Sequence, residues 1–580
     1  MIYITLYLFY ALFLLFIIGS LTRRLFEKAS FLPNSSSEPD LANTIILGII
    51  TLTTAVSSTA LVTPITKYVH LGITVLLFLY ICYDRKYLFA TIRSVFLHAR
   101  FSPYLSILGI ICLLSAIVYA SGPATSFDTG LYHAQAVKWI NEYGTVPGLG
   151  NLHHRLAFNS SWFYFAAFFD ILAFDGKSYH LVNVIAFSLV LIISFSGFAH
   201  IFKGRLSLTN ILKCLIALPF CFDRDLSIGF IPSLSPDLIV FIFIVYAFIL
   251  TIHCFEQNIE SDDQQRPSHP ESCILVICLS LFLPTIKLSS LPVVLLPLYI
   301  LTRPENRVWK KILFSGLVSL VILLPFLVSN VILSGYLVFP FPELDLFSFD
   351  WKIPYAYAEK VRRSIRYFAI HPTPGYTDWS IAHMSTLEWI RFWLSHGGKN
   401  PIYLWLICSF VPAATFFFLC FRKKVGICVN TLVIQIVLLL GIIFWFFSAP
   451  AIRFGRGWLW GYIILAWGSL AYLMLKETSL QLVRYVSRAM LILVSVALIN
   501  LLVIRWDSFA ILWGNPSNSL FTIRPLPKVQ MKVVKIHDGF LLNVPPKKLA
   551  WDGDLPSAPK STDNLQMRGS TLKEGFRIAQ

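Results

Sequence analysis

The sequence predicts an all-α polytopic membrane protein with about fourteen transmembrane helices, carrying extracytoplasmic juxtamembrane helices and loops. Composition is the first reason: of 580 residues, 56% are apolar and 13% charged, and the mean hydropathy of +0.70 lies far outside the range of water-soluble domains. The second is that the apolar residues form runs approaching the ~20 that a bilayer core requires. The third is where the charge sits. A formal charge of +17 would suggest nucleic acid in a soluble chain, but here Lys and Arg cluster in short loops between apolar runs. That is the positive-inside pattern, so no nucleic acid is expected as a partner. The cysteines lie in or beside apolar runs with no CxxC pair, as small packing residues do.

Met1–Gly19 has no positive charge before it and Arg23 and Arg24 after it, so it reads as a first membrane helix rather than a signal peptide. Runs at Leu41–Thr63 and Val69–Tyr83 follow, then a basic stretch, Asp84–Arg100. Placing the basic loops inside puts the N-terminus outside. Tyr104–Ala120 then runs outward, and Asp128 emerges on the extracytoplasmic face. Trp162–Phe174 is apolar but short and interrupted by Asp170, which fits an interfacial helix. The remaining runs are Leu181–Ile201, Ile211–Phe222, Leu238–Phe255, Cys273–Ile286, Leu288–Leu301, Ile312–Leu333, Ile402–Cys420, Cys428–Phe447, Trp458–Leu475 and Ala489–Ile504. This divides the chain into a three-helix extension (1–102), a core (103–505) with outer loops 122–178 and 334–400, and a Pro-containing outer tail or small cap (506–580). Both termini are then extracytoplasmic, in what reads as a bacterial plasma membrane.

The polar stretch Ser121–Trp162 is the centre of the chain's chemistry. It gathers Asp128 with Tyr132, His133, Lys138, His153, His154, Arg155 and Asn159, more than a connector between helices needs. Asp128 is the candidate general base, with a rival role as cap of the helix that follows Asp-Thr-Gly. An unperturbed Asp titrates near pH 3.9, and desolvation at the membrane rim is expected to raise that value. Lys287, Arg453, Arg456, Arg155, His153 and His154 are candidates to hold an anion. Arg453 and Arg456, three apart in AIRFGRG, are placed to face the same one, with a lipid-facing basic rim as the alternative. Asp237 follows Pro236 at the start of a run, where capping competes with a site role. Tyr132, His133, Asn159, Asp237, Asp350, Trp351 and Asp378 are the candidate substrate contacts, Trp351 by ring stacking, with interfacial anchoring as its alternative. His133 also reads as a structural residue. His153, His154 and Asp128 match no metal signature, although a divalent cation such as Mg or Mn is an alternative there.

The order of these parts resembles the GT-C class of membrane glycosyltransferases: an outward helix (Tyr104–Ala120), an Asp beyond its end (Asp128), a Tyr and a small amphipathic helix (Tyr132, Leu131–Tyr143), and a short aromatic segment (Asn159–Gly176). Lys287 near the outer end of a later helix pair and Asp237 in a polar loop add to the likeness, which covers residues 103–475. The strings FDTGLYHAQAVKW and GLGNLHHRLAFNSSW also look like those of a set of bacterial multispanning proteins, which supplies no reaction. The GT-C resemblance implies a polyprenyl-phosphate-linked sugar donor, a cell-surface glycan or lipid acceptor, surrounding membrane lipids and no certain cofactor. An O-antigen polymerase or ligase, and a polysaccharide or lipid transporter, are the alternatives.

Overall fold

The computed structural model describes residues 1–32, 40–98, 103–124, 126–223, 225–256, 270–302, 309–371, 383–396, 400–423, 428–503, 523–536, 540–560 and 564–579. The architecture is all-α and polytopic. Among the described residues, ten helices are long and apolar enough to cross a membrane, or eleven if the pair Lys67–Tyr83 and Arg85–Val95, bent by 92°, forms one span. The strands among the described residues are two short antiparallel pairs near the C-terminus, Lys532–Lys535 with Leu541–Val544 and Leu565–Met567 with Phe576–Ile578.

The expected count of fourteen spans is thus not confirmed by length. Each apolar run coincides with helix, but Leu208–Phe222, Pro270–Ile286 and Leu288–Thr302 are short. At 1.5 Å per residue a 17-residue helix is only ~26 Å long, under the ~30 Å of a hydrocarbon core. Prolines contribute to the shortfall: Pro219 follows a break, Pro284 lies near the end of its helix, and Pro292 sits in a 3₁₀ turn.

The segment expected to be an interfacial helix is enclosed by other helices. Helix Ser161–Phe169 is buried along its whole length and packs against Leu41–Ala60. Its all-round hydrophobicity reflects enclosure by other helices. The first helices are also tied to the rest of the bundle by buried polar contacts: the Tyr246 hydroxyl donates to Asn43 Oδ1 at 2.7 Å, Lys213 pairs with Asp40 at 3.3 Å, and Arg23 with Glu271 at 3.2 Å.

Helix Asp237–Phe255 is buried on almost every side and sets two poles ~28 Å apart. Just past its far end, Glu256 accepts the backbone N–H of Leu208 at 2.7 Å. Its N-terminal residue, Asp237, belongs to the same pole as Asp128.

The C-terminal segment docks on that pole. The Trp551 N–H donates to the Gly130 carbonyl at 2.8 Å, the Phe576 N–H to the Pro147 carbonyl at 3.0 Å, and the Ser557 hydroxyl to Gln135 Oε1 at 2.7 Å. Trp139, Leu149, Leu152, Leu542, Leu565 and Phe576 share one apolar cluster beneath it. The Trp551 ring occupies the space that a Cβ on residue 130 would fill, so glycine is required there. Trp551→Ala should therefore remove about 3 kcal/mol or less of docking, the lower end for a large aromatic because the ring is only partly buried. Limited proteolysis should cut residues 523–579 faster than in the wild type; an unchanged cleavage rate contradicts this account.

Candidate functional site

Helix Pro103–Ala120 ends shortly before a π-helical turn, Thr129–His133, which runs directly into helix Ala134–Glu142. A π turn is wider than an α turn and is used where side chains must be re-aimed. Asp128 precedes it, yet its carboxylate makes no capping hydrogen bond to its own turn. Arg453, 325 positions away, donates to Asp128 Oδ2 at 2.6 Å. Arg155 Nη1 lies 3.6 Å from Oδ1.

A second ion pair adjoins the first. Asp237 and Lys287 are in direct contact, and the Ser235 hydroxyl donates to Asp237 Oδ2 at 3.1 Å. Phe454 joins the pairs: its ring centroid lies 4.3 Å from Lys287 Nζ and 4.8 Å from the Arg453 guanidinium carbon. Arg155 lies over the Tyr132 ring at 5.6 Å. His133 is 2% exposed, and its buried Nδ1 has no hydrogen-bond partner among the described residues.

The electrostatics correct one expectation. Burial pushes the Asp128 carboxyl up, but Arg453, His133 and Arg155 together with the Arg453 hydrogen bond more than offset it, leaving its pKa below the ordinary 3.8. Desolvation is present, as expected at a rim; two guanidinium groups outweigh it. The histidines go the other way. Burial lowers His133 to about 4 despite the nearby Asp128 and Asp237. Burial and Arg155 lower His154 to about 4, and burial holds His153 well below its ordinary value. All three are neutral at pH 7, so His153 and His154 offer an anion a single N–H each and no charge.

Other residues are engaged elsewhere. Arg456 does not share an anion with Arg453: it donates to Asp223 at 2.8 Å and also to Asp225. The Asn159 amide is taken by the Phe326 carbonyl at 3.1 Å. His154 Nδ1 faces the Tyr357 hydroxyl at 3.3 Å. Asp350 pairs with Arg568 of the C-terminal segment at 2.9 Å. The Trp351 ring stacks on Phe349 at 4.3 Å, lies 4.6 Å from the Arg568 guanidinium, and donates its indole N–H to Val331 at 3.1 Å. Asp350 and Trp351 thus hold the tail. Asp378 lies outside the described residues. Among the described residues, no three His, Cys, Asp or Glu side chains gather as a metal set.

Sequence reasoning did not single out Asp223, Asp225, Ser235 or Phe454. For Asp223 and Asp225 a signal existed: two acids around one residue in DRDLSIGF form a segment that reads as a plain loop, but they are well suited to grip one guanidinium.

A family model described as a domain of unknown function (DUF8201) matches residues 1–460. The chain belongs to that family. The DUF8201 match takes in the first three helices, both ion pairs and Arg456, and stops before the docked C-terminal segment. No curated protein and no solved structure matches the chain.

Proposed function

We propose that the protein is an integral membrane glycosyltransferase of GT-C-like type, with Asp128 as general base. It transfers a sugar from a polyprenyl-phosphate donor to a cell-surface glycan or lipid acceptor on the extracytoplasmic face of a bacterial plasma membrane. Both termini and the docked tail then lie on that face. The observation that carries this reading is the Asp128 carboxylate, free of its own turn and shared by Arg453 and Arg155 at one pole of the bundle.

In the proposed step the acceptor hydroxyl gives its proton to Asp128 as its oxygen bonds to the anomeric carbon. The bond from that carbon to the phosphate oxygen breaks, and its electrons leave with the prenyl phosphate, whose charge the guanidinium groups balance. A single direct displacement inverts the anomeric centre. A transporter reading needs ionisable groups along a path through the spans. Here Asp128, Asp237, Lys287 and Arg453 instead collect at one pole.

The test is transfer by the purified protein in lipid nanodiscs, supplied with radiolabelled polyprenyl-phosphate sugars and membrane-derived glycan or lipid acceptors. Label should move to acceptor and prenyl phosphate should be released. Failure to consume any of the polyprenyl-linked donors overturns the assignment.

A further inference from the structure

The four cationic side chains proposed for anion binding at this pole divide by what already holds them. Arg456 is 4% exposed and gripped by Asp223 and Asp225. Lys287 is committed to Asp237, itself 6% exposed, and that pair is neutral as a unit. Arg453 and Arg155 differ: each is about one-third exposed, and the two share the single carboxylate of Asp128.

Two guanidinium groups carry five N–H donors each, far more than two carboxylate oxygens can accept. The trio therefore has one positive charge in excess and spare donors on partly exposed side chains. Arg453 directs one nitrogen to Asp128 at 2.6 Å, while Arg155 is held more loosely at 3.6 Å. Beside them the almost fully buried His133 keeps Nδ1 without a partner among the described residues. A buried polar atom next to surplus cationic donors marks a place where a further polar ligand is accommodated.

We propose that Arg453 and Arg155, rather than Lys287 or Arg456, bind a phosphate anion, and that they do so by exchanging Asp128 for it. The identification of that phosphate as part of a prenyl-linked donor rests on the reading above; the exchange itself does not. A phosphate ester offers more acceptor oxygens than a carboxylate and matches the guanidinium fork. As it arrives, Asp128 gives up its counter-ions. The ligand thereby releases the carboxylate that the resting protein holds, and the acid becomes available only when an anion is in place.

The exchange makes a prediction opposite in sign to a simple binding role for Asp128. Farnesyl phosphate, farnesol and inorganic phosphate serve as probes, titrated against full-length protein in nanodiscs by microscale thermophoresis. Asp128→Asn removes the competing charge and should bind farnesyl phosphate roughly tenfold or more tightly than wild type, the scale of one hydrogen bond to a charged group. Arg453→Ala and Arg155→Ala should each weaken it by a similar factor, and farnesol should respond to none of the three. Asp128→Ser gives the same comparison should the Asn variant fold poorly.

Unchanged or weaker farnesyl phosphate binding in the folded Asp128 variant overturns the exchange, whatever the enzymatic activity. A farnesol response equal to that of farnesyl phosphate overturns phosphate as the ligand chemistry. If inorganic phosphate binds as tightly as farnesyl phosphate and gains equally in Asp128→Asn, the exchange stands and the prenyl-donor reading falls. Absence of binding by every probe overturns both.

Discussion

Asp128→Asn should lower glycosyl transfer by ~10²–10⁴-fold, the usual contribution of a positioned general base, while the protein keeps its fold and melting temperature. Fold retention is expected because Arg453 and Arg155 are each about one-third exposed and remain solvated without their carboxylate. The amide preserves size and some hydrogen bonding but cannot take the acceptor's proton. Near-normal turnover by a well-folded variant would remove Asp128 from the chemistry.

The pH profile carries a related expectation. In the resting protein the Asp128 carboxyl sits below 3.8, because burial is outweighed by Arg453, His133 and Arg155. A depressed pKa keeps the carboxylate charged as pH falls until that low value is crossed. The acid limb of kcat/KM, which reports the free enzyme, should therefore lie below pH 3.8. With Arg453 and Arg155 taken by the donor as proposed, Asp128 keeps His133, Tyr132 and the more distant Lys287 as neighbours and gains the donor's negative charge, so burial and that charge dominate. The acid limb of kcat should then stand at higher pH than that of kcat/KM. Coincident limbs, with Asp128 still required for turnover, contradict the release of the carboxylate.

Lys287→Met should have the largest effect on stability, a loss of ~3–5 kcal/mol, the range measured when one partner of a buried ion pair is deleted. Asp237 is only 6% exposed, and without Lys287 it keeps the Ser235 hydroxyl, its place at a helix N-terminus and the fields of Arg453 and Arg456, which are already shared with other carboxylates. Adding Asp237→Asn to the same chain removes the stranded charge and should recover much of the loss. Thermal unfolding in detergent reads both. Should Lys287→Met melt like the wild type, or the double variant melt no higher than the single one, the pair is not holding that end of the bundle.

What could be read from the sequence was mostly local. The apolar runs place Asp128, Asp237, Lys287 and Arg453 near helix ends, and all four come together at one pole. Partnership was not readable, because Arg453 and Asp128 are 325 residues apart and the choice between Asp128 and Asp223 as partner depends on how the helices pack. Spacing alone put Arg453 and Arg456 on one anion; packing sends them to different carboxylates. The expected rise in the Asp128 pKa failed for the same reason, since burial is foreseeable from position but the neighbouring guanidinium groups are not. Apolar length was a good guide to where helix forms and a poor guide to how long an unbroken helix runs, as Leu208–Phe222 and Leu288–Thr302 show.

The bond from the Trp551 amide to the Gly130 carbonyl lies two positions along the chain from Asp128. Mechanical load on the last thirty or so residues would be transmitted straight to the acid. Purification handles and fluorescent reporters fused at the C-terminus would tug on that anchor, so assays of this protein call for labels carried elsewhere.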